Sequence, residues 1–254
     1  MKTNLHMHTW RCSHADAGER SYIEHAIEGG LKVIGFSEHT VYHWDSDYYS
    51  WYRMKPEQMD GYVAMVEDFR REYARDIEIH LGLEVEYYPS CFDWLLRYLE
   101  DYPVEYMLLG QHFIYDEIDS PYMGDHLTKE ADLVRYVDQV CQALDTGRFL
   151  YLAHPDLPNW EGSREIYEKH MRRLCQHAKA TGTPLEINLL GIHAGRNYPN
   201  ENFWKLVSET GNRVVLGSDA HKAKDVVPVA AIQKATELVS KYQLNLIDPA
   251  VLLR

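Results

Sequence analysis

The chain has 254 residues, 45% of them apolar, a length and composition sufficient for one buried core of the size found in single-domain α/β barrels. Its formal net charge of -13 excludes a broad basic face for neutralising nucleic-acid phosphates, although bound cations can reverse the field at one small site. No apolar run approaches the roughly 18 to 20 residues of a membrane span and no secretory pattern opens the chain, so a cytoplasmic protein without a membrane partner is expected.

Short apolar stretches alternate with longer stretches of helical period, the pattern of βα units around a parallel sheet. The expected strands are Thr3 to His8, Val33 to Glu38, Glu78 to Glu84, Glu105 to Gln111, Phe149 to Ala153, Leu185 to Leu189 and Val214 to Ser218. The helices between and after them are Tyr22 to Glu28, Pro56 to Arg75, Ser90 to Leu99, Lys129 to Ala143, Arg164 to Lys179, Asn202 to Glu209 and Pro228 to Tyr242. Tyr62, Val66, Phe69 and Tyr73 share one helical face, and Gly147, Gly182 and Gly211 stand where helix-ending glycines belong. No linker or break in composition divides the chain, so one domain over residues 1–254 is expected. The segment Val41 to Met54 reads as a loop rich in aromatic residues, and a substrate wall is its expected use. Cys12, Cys91, Cys141 and Cys175 form no C-x-x-C pair and read as reduced, buried thiols.

The unusual count is that of histidine, 14 in all. Residues two apart on a strand face the same side, so His6 and His8 can serve one metal. Taken alone, H-x-H is a weak signal. Here it repeats in kind: Glu38 and His39 end the second strand, Glu84 the third, His112 the fourth, His154 the fifth, and Asp219 with His221 the last. In a closed parallel barrel all strand C-termini share one rim, so nearly every strand delivers a ligand-type residue to one place. His25, His80, His126, His170 and His177 fall elsewhere and receive no role. Glu86 follows Glu84 on the same face, which leaves the choice between these carboxylates open.

The motifs His6-Met7-His8-Thr9, Cys12-x-His14, Phe36-Ser37-Glu38-His39, Gly82-Leu83-Glu84-Val85-Glu86-Tyr87, Gly110-Gln111-His112-Phe113, Ala153-His154-Pro155-Asp156 and Gly217-Ser218-Asp219-Ala220-His221 run in order along the chain. In this series the sequence resembles the PHP (polymerase and histidinol phosphatase) family, specifically its histidinol-phosphatase branch. The resemblance implies a distorted seven-stranded (β/α)7 TIM-like barrel holding two or three divalent transition metal ions. It places one ion on His6, His8, Glu84 and Asp219, a second on Glu84, His112 and His154, and a third on His14, His39 and His221, so that Glu84 is the bridge. Such mixed imidazole and carboxylate sets suit zinc, manganese or iron. The implied activity is phosphomonoester hydrolysis by a metal-bridging hydroxide, with L-histidinol phosphate as substrate in histidine biosynthesis.

One part of the family pattern is missing. The segments after His154-Pro155-Asp156-Leu157 and after Ile187-Asn188 lack the arginines that grip phosphate in this branch. Arg196 and Arg164, a few residues downstream, are the expected substitutes, since a guanidinium can chelate phosphate from more than one backbone position. His193 and Asp16 are the expected proton donors. Three other readings stay open: a phosphoesterase for a nucleotide or sugar phosphate, an amidohydrolase, and a metal-binding protein without turnover.

Overall fold

The structure, a computed structural model, describes residues 1–44 and 46–253; Asp45, in the aromatic loop, and Arg254 lie outside the described residues. Its main sheet has eight parallel strands, in spatial order β1 (Thr3–Asn4), β2 (Val33–His39), β3 (Glu78–Val85), β4 (Tyr106–Leu109), β6 (Tyr151–Leu152), β8 (Leu185–Asn188), β9 (Arg213–Gly217) and β10 (Asn245–Leu246). The sheet curls on itself. Beyond β1, Met7 forms a parallel bridge with Ala220, and the His8 N–H donates to the Ala220 carbonyl at 3.0 Å, which joins the first and last predicted strands at their C-terminal ends.

All seven predicted strands are present, several of them shorter than the apolar runs that announced them. The eighth, β10, pairs with the start of β9 through Asn245 and Leu246. Both of its residues are exposed, which explains why no apolar alternation marked it. A separate two-stranded ribbon pairs β5 (His126–Leu127) with β7 (Asn159–Trp160).

Helices cover the sheet: α1 (Glu19–Glu28), α2 (Met59–Glu72), α3 (Phe92–Leu99), α4 (Glu130–Asp145), α5 (Arg164–Thr181), α6 (Leu189–Ala194), α7 (Glu201–Thr210) and α8 (Val229–Tyr242). Their starts and stops follow local chemistry. Ser163 caps α5 by accepting from the Ile166 N–H at 3.3 Å, Asn200 caps α7, and Gly182 and Gly211 end the same two helices at φ 73° and 68°. In α2 the buried side chains Met59, Tyr62 and Val66 fall at three- and four-residue spacing and pack against Leu81 and Leu83 of β3. Leu133, Val137 and Val140 of α4, Leu174 of α5 and Trp204 of α7 belong to a second, separate core cluster. A smaller cluster of Leu5, Tyr106, Leu108, Tyr151 and Val215 lies inside the curl, where the Tyr106 hydroxyl donates to the Leu5 carbonyl at 2.8 Å. Among the described residues no helix is long and apolar enough to cross a membrane.

Candidate metal centre

His6 and His8 are both fully buried, with Met7 between them packed in the same core cluster as Ile34 and Phe36. The parallel register of β2 with β3 sets His39 beside Glu84. His112 follows β4, His154 follows β6, and Asp219 and His221 follow β9. His14 comes in from the loop after the short helical turn Trp10–Cys12. His154 (φ 30°) and Asp219 (φ 51°) adopt left-handed backbone conformations that side-chain-bearing residues rarely occupy. Strain of about 1–3 kcal/mol at each persists only where the surroundings over-determine it, and such residues concentrate at functional sites.

Glu84 sits at the middle of this ring. Its Oε1 is 2.8 Å from His154 Nε2, 3.6 Å from His6 Nε2 and 3.8 Å from His112 Nε2, while its Oε2 is 3.1 Å from His39 Nδ1 and 3.4 Å from His8 Nε2. Asp219 Oδ1 lies 3.2 Å from His8 Nε2 and 3.6 Å from His6 Nε2. Most of these separations are too long or misaligned for hydrogen bonds. His6 Nε2, His8 Nε2, His39 Nδ1, Glu84 Oε2, His154 Nδ1 and His221 Nε2 are buried with no hydrogen-bond partner. A buried polar atom left alone costs about 1–3 kcal/mol, so a cluster of them is stable only if something else satisfies them. A cation does so for imidazole nitrogens and carboxylate oxygens together.

A second layer of acids holds the rings from behind. His6 Nδ1 meets Glu186 Oε1 at 2.8 Å, His8 Nδ1 meets Glu38 Oε1 at 3.4 Å, and His112 Nδ1 meets Glu86 Oε1 at 2.7 Å. Backbone carbonyls do the same for His14, through Cys12 at 2.7 Å, and for His221, through Asp219 at 2.9 Å. With Nδ1 engaged, Nε2 is presented to the centre, the arrangement that orients histidine ligands of metals. Glu84 and Glu86 therefore divide the work: the first faces the centre and the second faces the back of His112. Gly110 and Gly217 make room for the acids. A Cβ at 110 would overlap the Glu84 carboxylate, and one at 217 would overlap that of Glu186.

The electrostatics follow from burying so many acids and bases together. Burial opposes a charged Glu84, but His39, His6 and His112 hold its carboxyl well below the usual range; Asp219 is held low in the same way by His6 and His8. Burial likewise opposes the His8 imidazolium, yet the neighbouring Asp219, Glu38 and Glu84 carboxylates raise it to about 9. Burial and the neighbouring His8 charge lower His221 to about 3 and pull His39 well below its usual value.

Several triads bring one ligand atom each within 4.8 Å of one another: His14, His39 and His221; His6, His8 and Asp219; His6, Glu84 and His154; and His8, His39 and Glu84. The first coincides with an expected set, and the second falls within another. Cys12 approaches His8 and His221, but its thiol donates to the Thr9 carbonyl and burial pushes its ionisation far up, so it does not offer a thiolate.

A cavity of about 450 Å³ opens over the centre, lined by His14, His39, Glu84, His112, Asp219 and His221 on its floor and by Trp51, Tyr52, Phe113, Tyr122, Leu190 and Arg196 around its mouth. Among the described residues Arg196 is the one lysine or arginine that lines it, and it is held by a 2.8 Å bond to the Tyr198 hydroxyl. The other expected contributors stand away from this wall. Arg164, 61% exposed, is the first residue of α5 and pairs with Glu168 one turn on. His193 points outward from α6 to Asp225 at 3.4 Å, and Asp16 is exposed in the loop beyond His14.

The aromatic loop splits in two. Trp44 is buried against Tyr42 and Tyr88, whereas Trp51 and Tyr52 reach the cavity. Between them runs a network absent from the sequence reading. The buried Arg53 pairs at 2.7 Å with Glu86 and at 2.7 Å with Glu117, and Tyr52 donates to Glu117 at 2.5 Å.

Comparison with known proteins agrees with this architecture. The sequence profile of the PHP domain family matches residues 4–189. A Bacillus subtilis protein named histidinol-phosphatase is 25% identical over 259 aligned positions, covering 89% of this chain and 95% of that protein. A Deinococcus radiodurans protein named "Probable histidinol-phosphatase" is 27% identical over 228 positions, covering 87% of this chain and 86% of its own length. The crystal structure of a Lactococcus lactis histidinol phosphate phosphatase, complexed with zinc, L-histidinol and phosphate, superposes with a TM-score of 0.75 at 18% identity, covering 97% of this chain and 95% of that one. With that profile match over most of its length and these motifs in order, the chain belongs to the PHP domain family.

Proposed function

We propose that this chain is a metal-dependent phosphomonoesterase that converts L-histidinol phosphate to L-histidinol and phosphate, acting as one domain over residues 1–254. The observation that carries the reading is the set of buried, unpartnered imidazole and carboxylate atoms converging on Glu84 beneath a cavity with one arginine at its mouth. The names of the relatives and the zinc, histidinol and phosphate of the structural neighbour support the same reading.

The donor set fits divalent transition ions, with zinc, manganese and iron as the chemical choices. His6, His8, Glu84 and Asp219 would hold one, Glu84 with His112 and His154 a second, and His14, His39 and His221 a third. When bound, such ions supply an acidified water as nucleophile and positive charge against the phosphoryl oxygens. The protein's own residues do the rest. Glu186, Glu38 and Glu86 fix the ligand rings, Arg196 offers N–H donors to a phosphoryl oxygen, and the cavity walls displace water around the ester.

The test is phosphate release from L-histidinol phosphate by the purified protein loaded with divalent metal. Release that a chelator abolishes and added metal restores supports the proposal. No release from fully metallated protein overturns it.

A further inference from the structure

Arg196 reaches the cavity from a segment docked on the loop that carries His154. Its N–H donates to the Gly191 carbonyl at 2.9 Å as the chain leaves α6. Just beyond it, the Asn197 side chain donates to the Leu157 carbonyl at 2.9 Å, and the Asn200 N–H and the Trp204 indole donate to one oxygen of Asp156 at 2.6 and 2.9 Å. Residues 197–200 are thus tied to the turn that begins at His154. Tyr198 sits between the two, 2% exposed, with its ring centroid 6.1 Å from that of His154.

Gly191 makes the room for Tyr198. A Cβ there would come within 2.2 Å of the Tyr198 ring and 2.5 Å of its carbonyl oxygen, so only glycine lets α6 and this ring approach so closely. The hydroxyl that this packing fixes accepts from Arg196 Nη1 at 2.8 Å. Such a partner differs in kind from those of two other arginines. Carboxylates hold Arg53 and Arg164 and cancel their charge. A phenol is neutral at ordinary pH, so it takes one N–H of Arg196 and leaves the positive charge and the other donors to a ligand. Without that bond the guanidinium, on a long flexible stem, would be free to swing onto Asp219, which lines the same cavity and belongs to the metal-ligand set.

We infer that Tyr198 is a positioning residue: through its hydroxyl it holds the Arg196 guanidinium over the centre, charged and open to a phosphoryl oxygen. The inference rests on the phosphatase reading and adds what lets an arginine at a displaced position serve it.

The test is a double-mutant cycle on Tyr198→Phe and Arg196→Ala in proteins of equal bound metal, read as KM and kcat for L-histidinol phosphate and as the competitive inhibition constant of inorganic phosphate. Phenylalanine keeps the ring, so the fold should stand, which a thermal melt verifies. Tyr198→Phe should raise KM and the inhibition constant about three- to tenfold and change kcat less than about twofold, the pattern of one hydrogen bond lost from phosphate binding. Arg196→Ala should raise both constants further, and adding Tyr198→Phe to it should change nothing more, because the tyrosine acts only through the arginine. An unchanged KM and inhibition constant in Tyr198→Phe, or the same loss repeated in the Arg196→Ala background, would overturn the inference while turnover by the native chain upholds the phosphatase reading. A native chain that releases no phosphate overturns that reading and this inference with it.

Discussion

Replacing Arg53 by Met tests whether the network behind the cavity holds the mouth together. Arg53 is fully buried, paired with Glu86 and Glu117, donating to the Thr40 carbonyl at 3.2 Å and lying over the rings of Tyr42 and Tyr52. Methionine fills much of the volume but leaves two buried carboxylates facing each other without a counter-charge. Breaking a buried pair in this way costs about 3–5 kcal/mol. For a chain of this size that lowers the melting temperature by about 6–20 °C. Bound metal raises stability by mass action, so the melts should compare proteins of equal metal content. Glu117→Gln in the Arg53→Met background removes one uncompensated charge and should recover part of the loss, a non-additivity that a double-mutant cycle reads directly. A melt within about 2 °C of the native protein would refute the reasoning.

Other predictions follow from the centre itself. Glu186→Gln keeps the size of the residue but weakens its grip on His6 Nδ1 and on the His154 N–H, and metal affinity measured against a chelating dye should fall about 10- to 100-fold. Gly217→Ala drives a methyl group into the Glu186 carboxylate, so it should cost about 1–3 kcal/mol in denaturant unfolding; unchanged stability would show that the strand can yield. Metal binding should also depend on pH. In the metal-free protein His8 is raised to about 9 from 6.5, so its ion pairing stabilises the fold fully below pH 6.5 and is lost as pH rises through 9. A metal must displace that proton, so affinity should climb from pH 6.5 towards 9 while the chelated protein becomes less stable; a falling affinity in calorimetry over that range would contradict the assignment.

Much of the ring was legible because its residues obey strand geometry. His6 and His8 are two apart, and the other ligand-type residues stand at strand ends, where a parallel barrel gathers them whatever the helices do. Glu186 was missed although it left a signal, an acid in the middle of the apolar run Leu185–Leu189. The same run concealed α6. Leu189 looks like strand, but the Asn188 side chain accepts from the Gly191 N–H at 3.1 Å and starts a helix there. The Arg53 network left no such signal. Its partner Glu117 is 64 residues away, on a segment with no period to place it, and only the fold brings the two together. Arg164 and Arg196 both stood downstream of the missing arginines, with Arg196 the better candidate. One begins an exposed helix and turns to Glu168, while the other follows Gly195, whose φ of 66° ends α6 beside the cavity.

The most direct test of the central claim is phosphate release from L-histidinol phosphate, followed while divalent metal is titrated into chelated protein and bound metal per chain is counted by elemental analysis. Activity should be absent without metal and should rise with occupancy in the native chain, whereas His154→Ala should bind less metal and stay inactive. Full activity in the metal-free protein, or none at full occupancy, would contradict the account.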